Sequence, residues 1–292
     1  MIIIPGPASQ KLGQKIAALL GARVVSVEFK AFPDGESYIR LGGEVEGEDA
    51  VIVQTTSPPQ DTHFVQLFLM ADAARDLGAK TVTAVVPYFA YARQDKRFLS
   101  GEAFSVKTIM KLLEACGINR IVTVNAHNPK VLKSFRVPVK DVSAVTLLAE
   151  HFKKRGFDKA FSISVGKKAL AVAKEADNIL KGGYGYVSTS RDRVTGKVEI
   201  EKKSLPVKNR DVIVFDDIIS SGGTMAKAVK AAKDQGARRV YAACVHALLA
   251  EGAEEKILGG GADGIVGTDC IPSSVSKVSV APLITEALRK IA

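Results

Sequence analysis

The chain has 292 residues, with 47% hydrophobic and 25% charged residues, which suits two globular domains that each have a core. The formal net charge is +10, but Lys and Arg are spread along the chain and only 6% of residues are aromatic. This composition argues against nucleic-acid binding as the main function. Anionic small substrates would account for the positive charge equally well.

The sequence gives no sign of export or membrane insertion. Its longest apolar stretches, such as residues 81–92, contain a proline and are shorter than the roughly 18 residues that span a bilayer. The beginning, MIIIPGPASQ, lacks the basic segment and the apolar length of a signal peptide, so we expect a cytoplasmic protein. Cys116, Cys244 and Cys270 have no C-x-x-C spacing, which excludes a recognisable disulfide framework or zinc site.

Strand and helix patterns alternate through the first half of the chain. The predicted strands are 2–4, 23–29, 50–54, 81–86 and 120–124. The predicted helices are 8–20, 61–77 and 105–115, each followed by a glycine that ends it. Such alternation predicts a parallel sheet with helices on both faces.

A second cycle of the same kind follows a proline-marked connection at 137–144. The predicted helices are 145–154, 168–176 and 226–235, and the predicted strands are 160–165, 212–215 and 240–245. The weakly periodic, glycine-rich segment 182–206 predicts a hairpin or a mobile flap near a site. We therefore predict an α/β protein with two tandem domains, 1–143 and 144–292, each a mainly parallel sheet flanked by helices.

The stretch VIVFDDIISSGGTM, residues 212–225, has the composition of a ligand site. A buried strand is predicted to end at Phe215, so that the carboxylates of Asp216 and Asp217 lie at its carboxyl end. A loop of small and hydroxyl residues then leads into a helix. The loop residues are Ser220, Ser221, Gly222, Gly223 and Thr224.

This loop predicts a phosphate site. Gly222 and Gly223 let backbone N–H groups approach an anion, Ser221 and Thr224 add hydroxyl donors, and the helix start adds partial positive charge. The carboxylates can accept hydrogen bonds from sugar hydroxyls or hold Mg²⁺ with its waters. The implied ligand is a sugar phosphate. No lysine follows the glycines as in the nucleotide P-loop, so a triphosphate is not expected here.

Three further motifs contain candidate site residues, and each motif also has a simpler structural interpretation. FPDGES, 32–37, has turn residues, yet Phe32 and Glu36 flank the tip and could contact a flat heterocycle. PYFAYARQDKR, 87–97, ends in a basic cluster that is either a solvated loop or an anion site, with Arg93 and Gln94 as forked and amide donors. His127, in NAHN, follows a buried strand and is either structural or a metal or phosphate contact.

GGGADG, 259–264, satisfies the spacing of the dinucleotide-binding fingerprint. It follows a predicted helix, 251–258, and precedes a short strand, which is the opposite of the order that the fingerprint needs. We therefore interpret it as the turn that ends the helix.

Taken together, FPDGES, PYFAYARQDKR and VIVFDDIISSGGTM, in this order, resemble the ribose-phosphate diphosphokinases, also called phosphoribosyl pyrophosphate synthetases. The resemblance covers nearly the whole chain. It implies two phosphoribosyltransferase-like domains, with ATP on the first and ribose 5-phosphate on the second. The implied reaction transfers the β,γ-diphosphoryl group of Mg²⁺-ATP to the C1 hydroxyl of ribose 5-phosphate, giving phosphoribosyl pyrophosphate and AMP.

The resemblance also assigns roles to residues. It implies a homo-oligomer in which the ATP site lies at a subunit interface, and in which His127 lies beside the ATP phosphates and their Mg²⁺. The implied ATP contacts are Phe32, Asp34, Glu36, Arg93 and Gln94. The implied ribose 5-phosphate contacts are Asp216, Asp217, Ser220, Ser221, Gly222, Gly223 and Thr224. Arg191 and Arg193 would join His127 as catalytic residues.

Several positions depart from the family pattern. Asn125 stands where an aspartate is usual, Gly166 replaces the aspartate of a proline-aspartate turn, and Thr189 replaces a lysine. Lys167, Lys168 and the two arginines could supply compensating charge. These departures leave open a weakly active or non-catalytic regulatory subunit that binds nucleotide and ribose phosphate. A phosphoribosyltransferase that consumes the product would leave FPDGES and YARQDKR unexplained.

Overall fold

The structure, a computed structural model, describes residues 1–94, 96, 97, 99–191, 198–200 and 204–291, with the backbone alone at 189–191 and 198–200. It forms two compact units, one of residues 1–143 and 279–292 and the other of residues 144–278. The second unit therefore ends before the predicted limit of 292, because the last helix packs with the first unit.

Within residues 1–94, 96, 97 and 99–143, which the structure describes, the first unit has eight strands and four α-helices. They are β1 (Ile2–Pro5), α1 (Gln10–Leu20), β2 (Arg23–Val24), β3 (Ser26–Ala31), β4 (Ser37–Gly42), β5 (Asp49–Val53), α2 (Gln60–Asp76), β6 (Thr81–Val86), α3 (Ser105–Ala115), β7 (Arg120–Val124), α4 (Pro129–Leu132) and β8 (Val139–Val142).

Six of these strands form a parallel sheet in the order β2-β1-β5-β6-β7-β8. Its central strands are buried along their length, as continuous apolar runs predict for a sheet covered on both faces. The proline-marked connection predicted at 137–144 was wrong in part, because β8 lies there as an edge strand. An edge strand is short and half-exposed, so its alternation is weak.

The single strand predicted at 23–29 is divided at Val25. This buried residue donates its backbone N–H to the Ile3 carbonyl oxygen at 2.9 Å, and the chain then leaves the sheet. It forms the antiparallel hairpin β3–β4, in which Ala31 pairs with Ser37. The hairpin carries FPDGES at its tip.

The second unit repeats the architecture. Its elements are α5 (Val145–Lys153), β9 (Phe161–Val165), α6 (Leu170–Leu180), β10 (Tyr184–Val187), β11 (Thr189–Arg191), β12 (Val198–Ile200), β13 (Asp211–Ile219), α7 (Gly223–Asp234), β14 (Arg239–Ala247), α8 (Ala253–Gly259), β15 (Gly264–Thr268) and β16 (Ser276–Val278). The parallel sheet has the order β10-β9-β13-β14-β15-β16. The core between this sheet and α7 is mostly aliphatic, with Phe161, Met225 and Cys244 among the valines, isoleucines and alanines.

The C-terminal helix α9 (Ala281–Arg289) belongs to the first unit. Its Arg289 side chain donates to the Leu19 carbonyl oxygen of α1 at 2.9 Å, and Ser279, just before it, accepts from Lys15 at 3.4 Å. One apolar face of α9, including Ile284 and Leu288, is buried. The helix therefore completes the layer that covers the first sheet.

Candidate functional site

The acidic pair lies within a strand rather than after it. β13 continues to Ile219, and Asp216 pairs with Cys244 of β14. The backbone N–H of Asp217 donates to Asp216 Oδ1 at 3.0 Å, and that of Ile218 donates to Asp217 Oδ1 at 2.9 Å. The predicted strand end at 215 was thus four residues short, because β14 is long enough to pair with the polar extension. Both carboxylates remain partly exposed.

Gly222 is required by the path of the chain into α7. Its φ is +74°, in the left-handed region, and an added Cβ would lie 2.7 Å from the Ala253 carbonyl oxygen and 2.9 Å from Ala253 Cα. Gly223 differs, since a Cβ there would have no heavy atom within 4 Å. The loop therefore packs tightly against α8 at Gly222 and leaves space at Gly223.

The start of α7 offers backbone donors to an anion. Helix α7 begins at Gly223, the preceding Gly222 caps it without a side chain, and the first turn holds no acidic residue. The first N–H groups of any helix lack intrahelical acceptors. Ser221 and Thr224 lie on either side of this start. The geometry therefore suits the phosphate that the sequence predicts.

Hydrogen bonds from the following segment hold this loop in place. The N–H groups of Leu248 and Leu249 both donate to the Ile219 carbonyl oxygen, at 3.0 and 3.1 Å. The N–H of Ala250 donates to the Ser220 carbonyl oxygen at 3.1 Å. These hydrogen bonds fix the backbone of the loop, so its donor groups are preorganised.

A second loop lies beside the acidic pair. β9 is the neighbour of β13, with Ser164 paired with Phe215, so Gly166 leaves the sheet at the edge where the carboxylates lie. Gly166 has φ +83°, which explains why a glycine stands at this position, where the family pattern has an aspartate. Lys167 and Lys168 follow it as exposed side chains. They place positive charge at the same edge of the second sheet.

The tip of the hairpin β3–β4 is a tight turn, as its composition predicts. Gly35 N–H donates to the Phe32 carbonyl oxygen at 2.9 Å, and Glu36 N–H donates to Asp34 Oδ1 at 3.1 Å. The Phe32 ring is 41% exposed and packs edge-to-face on Tyr38, with centroids 6.0 Å apart. Lys30 Nζ lies 5.2 Å from the Phe32 centroid. The turn thus exposes an aromatic ring and carboxylates.

The motif PYFAYARQ is a buried segment with an exposed end. Tyr88, Phe89 and Ala92 are buried, whereas Arg93 is exposed and Gln94 is half-exposed. The interpretation of this stretch as a solvated loop therefore applies only to its last residues. Lys96 and Arg97 are exposed, and positions 95 and 98 lie outside the described residues.

The segment NAHN follows β7 at the same sheet edge, beside the loop after β6. Asn125 has φ +42° and its side chain donates to Ser143 Oγ at 3.3 Å. His127 is exposed, and the Asn128 side chain accepts from Lys130 N–H at 3.0 Å and caps α4. Asn128 thus has a structural role, and the exposed histidine is the residue that a ligand could reach.

Sequence reasoning missed Asp141, which lies beneath this segment. Its Oδ1 accepts the Ala126 N–H at 3.1 Å. Burial raises the pKa of the Asp141 carboxyl to about 6, although the hydrogen bond from Ala126 acts in the opposite direction. Its placement in a predicted connection gave no signal of burial.

Asp141 makes a testable contribution to pH-dependent stability. Its raised pKa means that the folded state holds the proton more tightly, so the contribution to stability is complete below about pH 4 and is lost as the pH rises through about 6. In Asp141→Asn the amide oxygen can still accept the Ala126 N–H. Between pH 4.5 and pH 7, the free energy of unfolding should fall by about 2 kcal/mol less in this variant than in the unmodified protein.

Denaturant titrations at the two pH values check this expectation. The exposed Asp76, replaced by asparagine, serves as the control, and its pH dependence should match that of the unmodified protein. Identical pH dependence in Asp141→Asn and the unmodified chain would contradict the proton-binding role of this half-buried carboxyl.

The structure describes the predicted catalytic arginines only in part. Arg191 and Thr189 lie in β11, which pairs antiparallel with β12 as the predicted hairpin, and the backbone alone is described there. Arg193 lies outside the described residues. Within the described part of the chain, no three or more His, Cys, Asp or Glu side chains form a cluster that could hold a metal ion. In the same ranges, no helix is long and apolar enough to cross a bilayer.

Comparisons with known proteins support a single family. Residues 1–117 match the model of the N-terminal domain of ribose phosphate pyrophosphokinase, and residues 144–258 match the phosphoribosyl transferase domain. The ribose-phosphate pyrophosphokinase of Methanothermobacter thermautotrophicus is 43% identical over 99% of this chain and 100% of that protein. The protein of the same name from Saccharolobus solfataricus is 42% identical over 93% of each.

A solved structure agrees with these sequence matches. The crystal structure of phosphoribosylpyrophosphate synthetase from Mycobacterium smegmatis has a TM-score of 0.87 and 27% identity, and the match covers 100% of this chain and 98% of that one. The fold expected from the sequence, two α/β domains with parallel sheets, is thereby confirmed. The identity and coverage of these relatives show that the chain belongs to the ribose-phosphate pyrophosphokinase family.

Proposed function

We propose that this protein transfers the β,γ-diphosphoryl group of ATP to the C1 hydroxyl of ribose 5-phosphate, producing phosphoribosyl pyrophosphate and AMP. The observation that carries the proposal is the acidic pair Asp216 and Asp217 followed by the glycine-capped start of α7, in a member of this family. We place the reaction in the cytoplasm.

In this proposal the second unit binds ribose 5-phosphate. Asp216 and Asp217 accept hydrogen bonds from the ribose hydroxyls, because carboxylates are acceptors whereas hydroxyls donate. The 5-phosphate lies against the loop 220–224, where hydroxyl groups and the first N–H groups of α7 donate to it. The open space at Gly223 supports a close approach of the anion to the backbone.

The first unit binds ATP. Arg93 offers a planar pair of donors to phosphate, and Gln94 offers an amide to the base or the sugar. Phe32, Asp34 and Glu36 contact the adenine of a neighbouring subunit, which makes the protein a homo-oligomer with a shared site. The exposed Phe32 ring supports this arrangement, because a flat heterocycle can stack on it.

The reaction depends on position and on neutralisation of charge. His127, Arg191 and Arg193 stabilise the phosphoryl oxygens during transfer, and Lys167 and Lys168 add positive charge beside the ribose. Mg²⁺, when bound, would supply positive charge that offsets the charge of the diphosphate.

The available ligands fit magnesium. Mg²⁺ is usually held by one or two carboxylates together with substrate phosphates and waters. Asp216 and Asp217 offer two carboxylates, and the described ranges hold no larger acidic cluster that would bind a metal without substrate. His127 lies beside the metal and the ATP phosphates in this proposal.

The departures from the family pattern have structural explanations. Gly166 occupies a left-handed backbone conformation, and the Asn125 side chain bonds Ser143, so both residues are integrated in the fold. Thr189 has no such explanation. The high identity to proteins named as pyrophosphokinases favours the enzyme over the regulatory subunit.

The proposal predicts AMP formation that requires all three components. The protein mixed with ATP, Mg²⁺ and ribose 5-phosphate should release AMP and phosphoribosyl pyrophosphate in equal amounts, detected by phosphorus NMR. Omission of ribose 5-phosphate or chelation of Mg²⁺ should abolish the signal. Binding of both substrates without AMP formation would refute the enzymatic proposal and support the regulatory subunit.

A further inference from the structure

Tyr91 adopts a backbone conformation that a tyrosine rarely occupies. Its φ is +63°, in the left-handed region, where the side chain of a non-glycine residue is strained. It lies two residues before Arg93, in the segment assigned to ATP. Strain of this kind persists only where the surrounding structure holds it.

The side chain of Tyr91 is held by the first turns of α2. Its hydroxyl donates to Asp61 Oδ1, and its ring packs on Phe64 with centroids 5.9 Å apart. A hydrogen bond from a phenol to a carboxylate is charge-assisted and stronger than a neutral one. The backbone carbonyl of Tyr91 also accepts the Gln94 N–H at 3.0 Å. Tyr91 thus links the proposed ATP contact Gln94 to Asp61.

Asp61 is well placed to act as the fixed end of this link. It lies in the first turn of α2, where the helix dipole favours a negative charge. The start of the helix is itself anchored, because His63 Nδ1 lies 2.6 Å from the Ser57 carbonyl oxygen and the His63 N–H donates to Pro59. The helix turn that carries the acceptor is therefore anchored to the segment before it.

The segment preceding Tyr91 is fixed independently. The Thr56 hydroxyl donates to the Tyr88 carbonyl oxygen at 2.7 Å and accepts the Ala90 N–H at 2.9 Å. This buried threonine holds the chain up to Ala90. The direction in which the chain then continues toward Arg93 depends on the strained residue Tyr91 and on its bond to Asp61.

We propose that Asp61 is a positioning residue, which orients Arg93 and Gln94 toward ATP through the Tyr91 hydroxyl. The proposal rests on the proposed function, in which these two side chains bind the nucleotide. Asp61 itself does not touch the substrate. Loss of its hydrogen bond would let the strained segment relax, so that ATP binding must restore the bound conformation.

The test compares Michaelis constants for the two substrates. Tyr91→Phe retains the ring contact with Phe64 and removes only the hydroxyl, and Asp61→Ala removes the acceptor. We expect each to raise KM for ATP by about tenfold and to leave KM for ribose 5-phosphate unchanged. The double variant should be no worse than either single one, because both remove the same bond.

Two matched controls lie away from the proposed contacts. The exposed Tyr184, replaced by phenylalanine, tests the loss of a hydroxyl in the other unit, and Asp76→Asn tests the loss of a carboxylate at the far end of α2. Both should keep the KM for ATP of the unmodified protein. A general loss of folding would lower the apparent kcat and leave both Michaelis constants unchanged, so a rise in KM for ATP alone reports positioning.

Arg93→Ala separates failure of this inference from failure of the assigned function. If Arg93→Ala raises KM for ATP and Tyr91→Phe does not, the positioning role of Asp61 is wrong while the ATP site stands. If Arg93→Ala leaves KM for ATP unchanged, the segment does not bind the nucleotide, and the positioning role falls together with the assignment of this segment to ATP. An additive loss in the double variant would also overturn the link between Tyr91 and Asp61.

Discussion

Replacement of Asp217 by asparagine should lower kcat/KM for ribose 5-phosphate by about a hundredfold or more, and Asp216→Asn should have a similar effect. Each hydrogen bond to a charged acceptor contributes about 1.5–3 kcal/mol, and about 1.4 kcal/mol corresponds to a factor of ten. An amide also presents an N–H₂ group to a sugar hydroxyl in place of an acceptor. Steady-state kinetics with ribose 5-phosphate varied at saturating ATP measure the loss.

These two substitutions should spare the fold. The local bonds of the acidic pair run from backbone N–H groups to Asp216 Oδ1 and Asp217 Oδ1, and an asparagine oxygen can accept the same bonds. Asp234→Asn is the matched control, since this exposed carboxylate pairs only with Lys230 among the ion pairs described. Full activity in Asp217→Asn would contradict the assignment of the acidic pair to the ribose hydroxyls.

Replacement of Gly222 by alanine should destabilise the second unit by about 2–4 kcal/mol and prevent binding of ribose 5-phosphate. A left-handed conformation costs an L-residue roughly 1–2 kcal/mol. The added Cβ would also lie 2.7 Å from a backbone oxygen of Ala253, so α8 or the loop must move. Denaturant unfolding and calorimetric titration with ribose 5-phosphate measure the two effects.

The adjacent Gly223 provides the control for this prediction. An alanine there has open space and lies at the start of a helix, so the free energy of unfolding should stay the same or rise by up to about 1 kcal/mol. Its affinity for ribose 5-phosphate should nevertheless fall, because the methyl group occupies space that the phosphate needs. Equal destabilisation by the two substitutions would contradict the account of this loop.

Much of the fold is predictable from the sequence because buried parallel strands have a strong local pattern. Residues 2–4 and 212–215 are continuous apolar runs, 81–86 has two threonines among apolar residues, and a glycine ends most helices between them. The elements that the sequence did not predict have weak hydrophobic patterns. β8 is a half-exposed edge strand, and the polar extension of β13 to Ile219 depends on pairing with β14, which is distant in sequence.

The candidate site is predictable to the extent that it follows strands. Parallel strands bring their carboxyl ends to one edge of a sheet, so polar residues after such strands are natural candidates. Asp61 and Asp141 could not be found in this way. Each acts through a contact with a residue 30 or 15 positions away, at Tyr91 and Ala126, and that pairing exists only in the folded chain.

The division of substrates between the two units is tested most directly by calorimetric titration of ribose 5-phosphate into the protein and into its Asp217→Asn and Arg93→Ala variants. We expect binding of the sugar phosphate to be lost in Asp217→Asn and unchanged in Arg93→Ala. Equal affinity of Asp217→Asn and the unmodified protein for ribose 5-phosphate would contradict the account.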